Sequence, residues 1–207
     1  MANLAAACTA AEQAGVKGLR SQVDMAGFEQ LAHRLEEFVA HGITCVDDSI
    51  STVPQATLAA LAAYAQTRNV ALALEPLNPM FGGNRTCLFT VKDALAICNA
   101  VNQPNVGIAV DVYHVWWDTR LSQSLAAAQG KILGYHLCDW LEHTRHMLLD
   151  RGMMGDGVAD LKAIRGAVES AGYQGLCEVE IFSAENWWKR DPADVLDVII
   201  ERFRRTC

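Results

Sequence analysis

The chain has 207 residues, 51% of them apolar and 20% charged, with a formal net charge of −7. That length and composition suit one globular domain with a sizeable core, and the acidic balance argues against a nucleic-acid partner because it repels phosphate backbones. The seven cysteines contain no CxxC pair, no basic segment precedes an apolar leader, and no apolar run is long enough to span a membrane, so reduced thiols and a cytoplasmic location are expected.

Helix and strand patterns alternate along the chain. Residues 2–15 read as a helix stopped by Gly15, and VKGLRS at 16–21 as a short strand. FEQLAHRLEEFVAH at 28–41 has the spacing of an amphipathic helix ending at Gly42. ITCVD at 43–47 is a strand candidate, and the helix at 54–68 opens with Pro54 at its first position. VALALE at 70–75 reads as a buried strand, followed by a helix at 90–102 with Thr90 as N-cap. A strand at 106–112, a helix at 120–129 and a strand at 131–138 come next. The chain closes with a helix at 161–171 capped by Asp160, a strand at 175–182 and a helix at 193–205. Alternating units of this kind predict an α/β fold with a parallel sheet, and continuous apolar strands predict that both faces are covered. No GxGxxG or GxxxxGK[ST] loop points to a nucleotide.

Four of these strands share a feature. Each is apolar until its C-terminal end, where a metal-ligand residue type stands: Glu75 after VALAL, Asp111 after VGIAV, His136 after KILGY and Glu180 after GLCEV. A lone acid at a strand end is usually a loop residue or a cap. Four in series are different, because a parallel barrel brings all its C-terminal strand ends to one face. Three carboxylates gathered there repel one another unless a cation compensates them. Three oxygen ligands and one imidazole favour Mn²⁺, with Mg²⁺, Co²⁺ or Zn²⁺ also compatible. An ion-paired acidic rim is the structural alternative.

The segments EPLNP (75–79), VDVYHVWWD (110–118), YHLCDW (135–140), DRGMMGDG (150–157) and EVEIFSAENWW (178–188) resemble the xylose isomerase-like TIM barrels, the sugar phosphate isomerase/epimerase group. That group includes inosose isomerases, inosose dehydratases and tagatose-type 3-epimerases. The resemblance is specific from about residue 70 onward. It implies a TIM (β/α) barrel, here incomplete, with six of eight strands recognisable in a single domain over 1–207. The first strand and an internal βα unit are missing from the pattern. An open seam of that kind predicts dimerisation across it, or low stability in a monomer.

The resemblance implies a metal-dependent isomerase or epimerase of keto-sugars or inososes. Glu75 and Glu180 would exchange a substrate proton through a metal-stabilised enediolate, and all four strand-end residues would hold the ion. It further implies that His114 and Arg151 contact substrate oxygens. Trp116 offers an aromatic face to a sugar, and Asn78 stands where relatives often carry histidine. Asp139 is expected to orient His136, and GDG at 155–157 to form a tight turn rather than a phosphate loop. A dehydratase on the same scaffold and a non-catalytic degenerate barrel are the competing readings. An endonuclease of this fold would need more histidine ligands and a basic face.

Overall fold

The computed structural model describes residues 36–40, 43–47, 54–83 and 85–207. The chain divides into two compact units, Met1–Thr52 and Val53–Cys207. In the first unit, strands β1 (Glu36–Ala40) and β2 (Ile43–Asp47) pair antiparallel, with Ala40 opposite Ile43 and Glu36 opposite Asp47. β2 coincides with the expected strand. β1 overturns the last part of the helix expected at 28–41. A three-and-four apolar spacing is a weak preference, and EEFVA finds a strand partner two residues away that satisfies its backbone groups instead. The remainder of that helix, the helix at 2–15 and the strand at 16–21 lie outside the described residues.

The second unit holds a four-stranded parallel sheet. Its strands are β3 (Leu72–Leu74), β4 (Val106–Asp111), β5 (Ile132–Leu137) and β6 (Cys177–Val179), adjacent in chain order. The helices around them are α1 (Pro54–Thr67), α2 (Val91–Val101), α3 (Val112–Val115), α4 (Leu121–Ala127), α5 (Leu161–Ser170) and α6 (Pro192–Thr206). The caps follow the sequence. Thr90 accepts from the Asp93 amide at the start of α2, and Asp160 accepts from the Ala163 amide at the start of α5. Asn102 closes α2 in the left-handed region at φ 48°.

β4 is buried along its whole length. Its Val106, Ile108 and Val110 belong to one core with Val91, Ala94 and Cys98 of α2 and Leu125 of α4. By the two-residue period of a strand, Gly107, Ala109 and Asp111 face the other way. A Cβ on Gly107 would stand 2.3 Å from the Lys131 carbonyl oxygen, so only glycine permits this approach of β4 to β5.

A register shift then positions the site. Ile108 pairs with Ile132, but Ala109 pairs with Gly134, leaving Leu133 as an extra residue in β5. The shift puts His136 opposite Asp111. Without it Asp111 would face Tyr135, whose side chain projects to the opposite side of the sheet.

Candidate metal centre

The parallel sheet carries the four strand-end residues to one edge. Glu75 follows β3, Asp111 ends β4, His136 is the second-last residue of β5, and Glu180 follows β6. One ligand atom from each of Glu75, Asp111 and His136 falls within 4.8 Å of the other two. Glu180 stands at the margin of that group, its Oε2 3.8 Å from His136 Nδ1.

Glu75 Oε1 lies 3.3 Å from His136 Nδ1, yet the two are not aligned as a hydrogen bond, and each is a buried atom without a hydrogen-bond partner. Buried polar atoms left in this state are costly unless something fills the space between them. Burial pushes the Glu75 carboxyl upward, but His136 beside it, aided by His114 and Arg151, outweighs that and holds it below its ordinary value. The same Glu75 carboxylate raises the His136 imidazole against the effect of burial.

Asp111 is fully buried. Its Oδ1 accepts from the Tyr113 amide at 2.9 Å, which makes it the N-cap of α3, and its Oδ2 accepts from Arg151 Nη1 at 2.8 Å. Burial still drives its carboxyl above the usual carboxylate range, with the Glu75 charge adding to the rise and Arg151 opposing it.

Arg151 is itself buried, and its Nη1 also donates to Glu180 Oε2 at 2.9 Å. It therefore ties the end of β4 to the end of β6. His114 rides on α3 and is buried. Its Nδ1 accepts from the Asn78 amide at 3.2 Å, which assigns its proton to Nε2, the nitrogen 3.7 Å from Asp111 Oδ2. Burial and the Arg151 charge hold this imidazole down at about 4, so it is neutral. The Asn78 side chain is turned to its own loop, where Oδ1 accepts from the Met80 amide. Trp116 packs its ring 5.6 Å from that of Trp140.

The structure corrects the expectation for Asp139. Its carboxylate accepts from four backbone amides, those of Trp140, Gly155, Gly157 and Ala159, and none of its partners is His136. The buried carboxylate is consumed in shaping the GDG turn. Gly157 is required there, because a Cβ would stand 2.0 Å from the Trp140 carbonyl oxygen. Three further residues at the site carry no sequence signal of their own. Cys138 directs its thiol toward Asp111 Oδ1 at 4.0 Å, and the Tyr113 and Phe182 rings lie against Arg151. Cys138 and Phe182 read in sequence as the last residues of apolar strands.

Two carboxylates and an imidazole around a shared centre, two of their buried atoms unpartnered, are a donor set that could hold a divalent ion. The pattern that describes the xylose isomerase-like TIM barrel matches residues 1–202. The chain belongs to that family. Within it, the chain is 33% identical over 132 residues to inosose isomerase of Bacillus subtilis (strain 168), a match covering 62% of this chain and 46% of that protein. A crystal structure of a protein from Sinorhizobium meliloti 1021 superposes with TM-score 0.72 at 50% identity, over 74% of this chain and 56% of the other. The IOLI protein, solved with a binding zinc atom, superposes with TM-score 0.61 at 27% identity, over 72% of this chain and 53% of the other. The chain thus spans about half the length of the relatives it matches. Among the described residues, no helix is long and apolar enough to cross a membrane.

Proposed function

We propose that this chain is a divalent-metal-dependent isomerase or epimerase that moves a proton at the carbon beside the carbonyl of a keto-sugar or inosose. The observation that carries the reading is the cluster of Glu75, Asp111 and His136, with Glu75 Oε1 and His136 Nδ1 buried and unpartnered toward one centre. Its similarity to an inosose isomerase and to the zinc-containing IOLI protein supports the same reading.

Glu75, Asp111 and His136 would hold the ion, with Glu180 within reach as a fourth ligand. A divalent ion there would polarise the substrate carbonyl and acidify the adjacent C–H. The protein supplies the proton carriers. Glu75 and Glu180 stand at the ends of β3 and β6, the two outer strands of the sheet, so they address the substrate from different directions. Glu75, held ionised by its neighbours, accepts the proton from carbon, and the C–H electron pair moves toward the carbonyl oxygen. Return of that proton to the former carbonyl carbon, while the adjacent hydroxyl gives up its proton to the former carbonyl oxygen and becomes the new carbonyl, completes an isomerisation. Return from Glu180 to the other face of the same carbon completes an epimerisation. Arg151 bridges Asp111 and Glu180 and so keeps the Glu180 carboxylate in place, while neutral His114 stands beside Asp111.

Dialysis against a chelator should abolish conversion of inososes and keto-sugars, and Mn²⁺ or Zn²⁺ should restore it. Full activity in a metal-free sample would contradict the proposal.

A further inference from the structure

A run of flat groups extends away from the strand ends. The Arg151 guanidinium carbon lies 4.8 Å from the Phe182 ring centre and 4.4 Å from that of Tyr113. Tyr113 continues the run to Trp140 at 4.8 Å, and Trp140 continues it to Trp116 at 5.6 Å. The backbone places the first members. Arg151 N donates to the Phe182 carbonyl oxygen, and Asp150 bridges to Ser183, so the two segments lie side by side. Tyr113 is fully buried, and its hydroxyl donates to the Met147 carbonyl oxygen at 2.8 Å.

Arg151 concentrates its polar bonds on one nitrogen. Nη1 reaches Asp111 Oδ2 at 2.8 Å, Glu180 Oε2 at 2.9 Å and the Glu180 carbonyl oxygen at 3.3 Å. Its Nε, also buried, has no hydrogen-bond partner. Nη2 stands 3.5 Å from His114 Nε2, a nitrogen that itself carries a proton in the tautomer the Asn78 amide selects, so that contact is not a hydrogen bond. One nitrogen does not define the plane of a guanidinium. The rings supply the missing constraint, because a desolvated cation over an aromatic face is held by the ring's quadrupole. The residue being fixed also matters. The Asp111 side chain is wholly enclosed, whereas that of Glu180 is 35% exposed and free to change rotamer unless Arg151 holds it.

We propose that Tyr113 and Phe182 are positioning residues: their rings set the plane of the Arg151 guanidinium, and through Nη1 that plane fixes the Glu180 carboxylate relative to Asp111. The consequence for turnover rests on the proposed reaction. The ordering of Arg151 does not.

The test is made on the full chain labelled with ¹⁵N-arginine, without metal or substrate. In the wild type, the Arg151 guanidinium protons should exchange slowly with water. Phe182→Leu should speed that exchange about tenfold, the scale of a lost desolvated cation–π contact. Phe182→Tyr should restore slow exchange. Trp188→Leu removes the ring that meets Phe182 edge-on, 5.8 Å away, and should leave Arg151 unchanged. Fast exchange in the wild type, no change in Phe182→Leu, or an equal change in Trp188→Leu would each overturn the proposal. Where turnover is measurable, Phe182→Leu should lower kcat about tenfold with KM nearly constant, and an unchanged kcat would equally overturn it. A protein that converts no keto-sugar at all would defeat the proposed function, while the exchange measurement would still decide the role of the rings.

Discussion

Glu75 Oε1 and His136 Nδ1 face each other at 3.3 Å across the end of β4, and neither has a hydrogen-bond partner. A protonated His136 would attract Glu75, but the pair still makes no hydrogen bond. A cation between them and Asp111 would satisfy both. His136→Ala should therefore weaken Zn²⁺ or Mn²⁺ binding by more than about 100-fold, beyond the range for residues that merely support a ligand. Isothermal calorimetry on apo protein checks this, and retention of one tightly bound ion in the variant would remove His136 from the site.

Asp139 controls the loop that carries Arg151. Besides the four amides on its carboxylate, its backbone exchanges two hydrogen bonds with Gly152, each 2.9 Å long. Asp139→Ala removes a buried carboxylate that holds four part-buried amides and should cost about 1–3 kcal/mol in urea unfolding, the scale for a hydrogen-bonding group left unsatisfied. Asp139→Asn should lie between, since its NH₂ group cannot accept the amides on one side. If Asp139→Ala is as stable as wild type, the loop is held by something else.

Asp150 and Arg145 make the fold sensitive to acid. Hydrogen bonds from the Arg145 side chain outweigh burial and hold the Asp150 carboxyl below its ordinary value. A carboxyl lowered in the folded state stabilises the protein above its unfolded value, about 3.9, and loses that contribution as pH falls through the folded value. Arg145→Ala should therefore lower the melting temperature at neutral pH, and the two curves should converge below about pH 4. Arg145 is largely exposed, so added salt should reduce the difference. A gap that stays constant from neutral pH into acid would show that the pair does not act through charge.

The strand ends were legible because these strands are largely apolar and a polar residue marks each exit, although only β4 is buried along its whole length and Glu178 interrupts β6 before Glu180. That signal located Glu75, Asp111, His136 and Glu180, and the caps Thr90 and Asp160 were legible from equally local chemistry. The bonds between distant segments were not. Arg151 reaches Asp111 and Glu180 across 40 and 29 residues. Asp139 finds its amides up to 20 residues downstream, which no periodicity announces, whereas the sequence offers only the nearby His136 as its partner. At 36–40 a helical spacing lost to strand pairing, because register with β2 is a property of two segments rather than one. The shift that sets His136 opposite Asp111 depends on Leu133 having no partner in β4, again a relation between strands.

In the proposed reaction, Glu75 and Glu180 pass a proton to and from carbon beside a metal-polarised carbonyl. Proton NMR in D₂O with a panel of inososes and keto-sugars tests it most directly. Solvent deuterium should enter the carbon next to the carbonyl as substrate converts, and chelator should stop both events. Glu75→Gln and Glu180→Gln should each slow them by ~10²–10⁴, the scale of a lost acid or base. Conversion without deuterium uptake, or near wild-type turnover in either variant, would contradict the account.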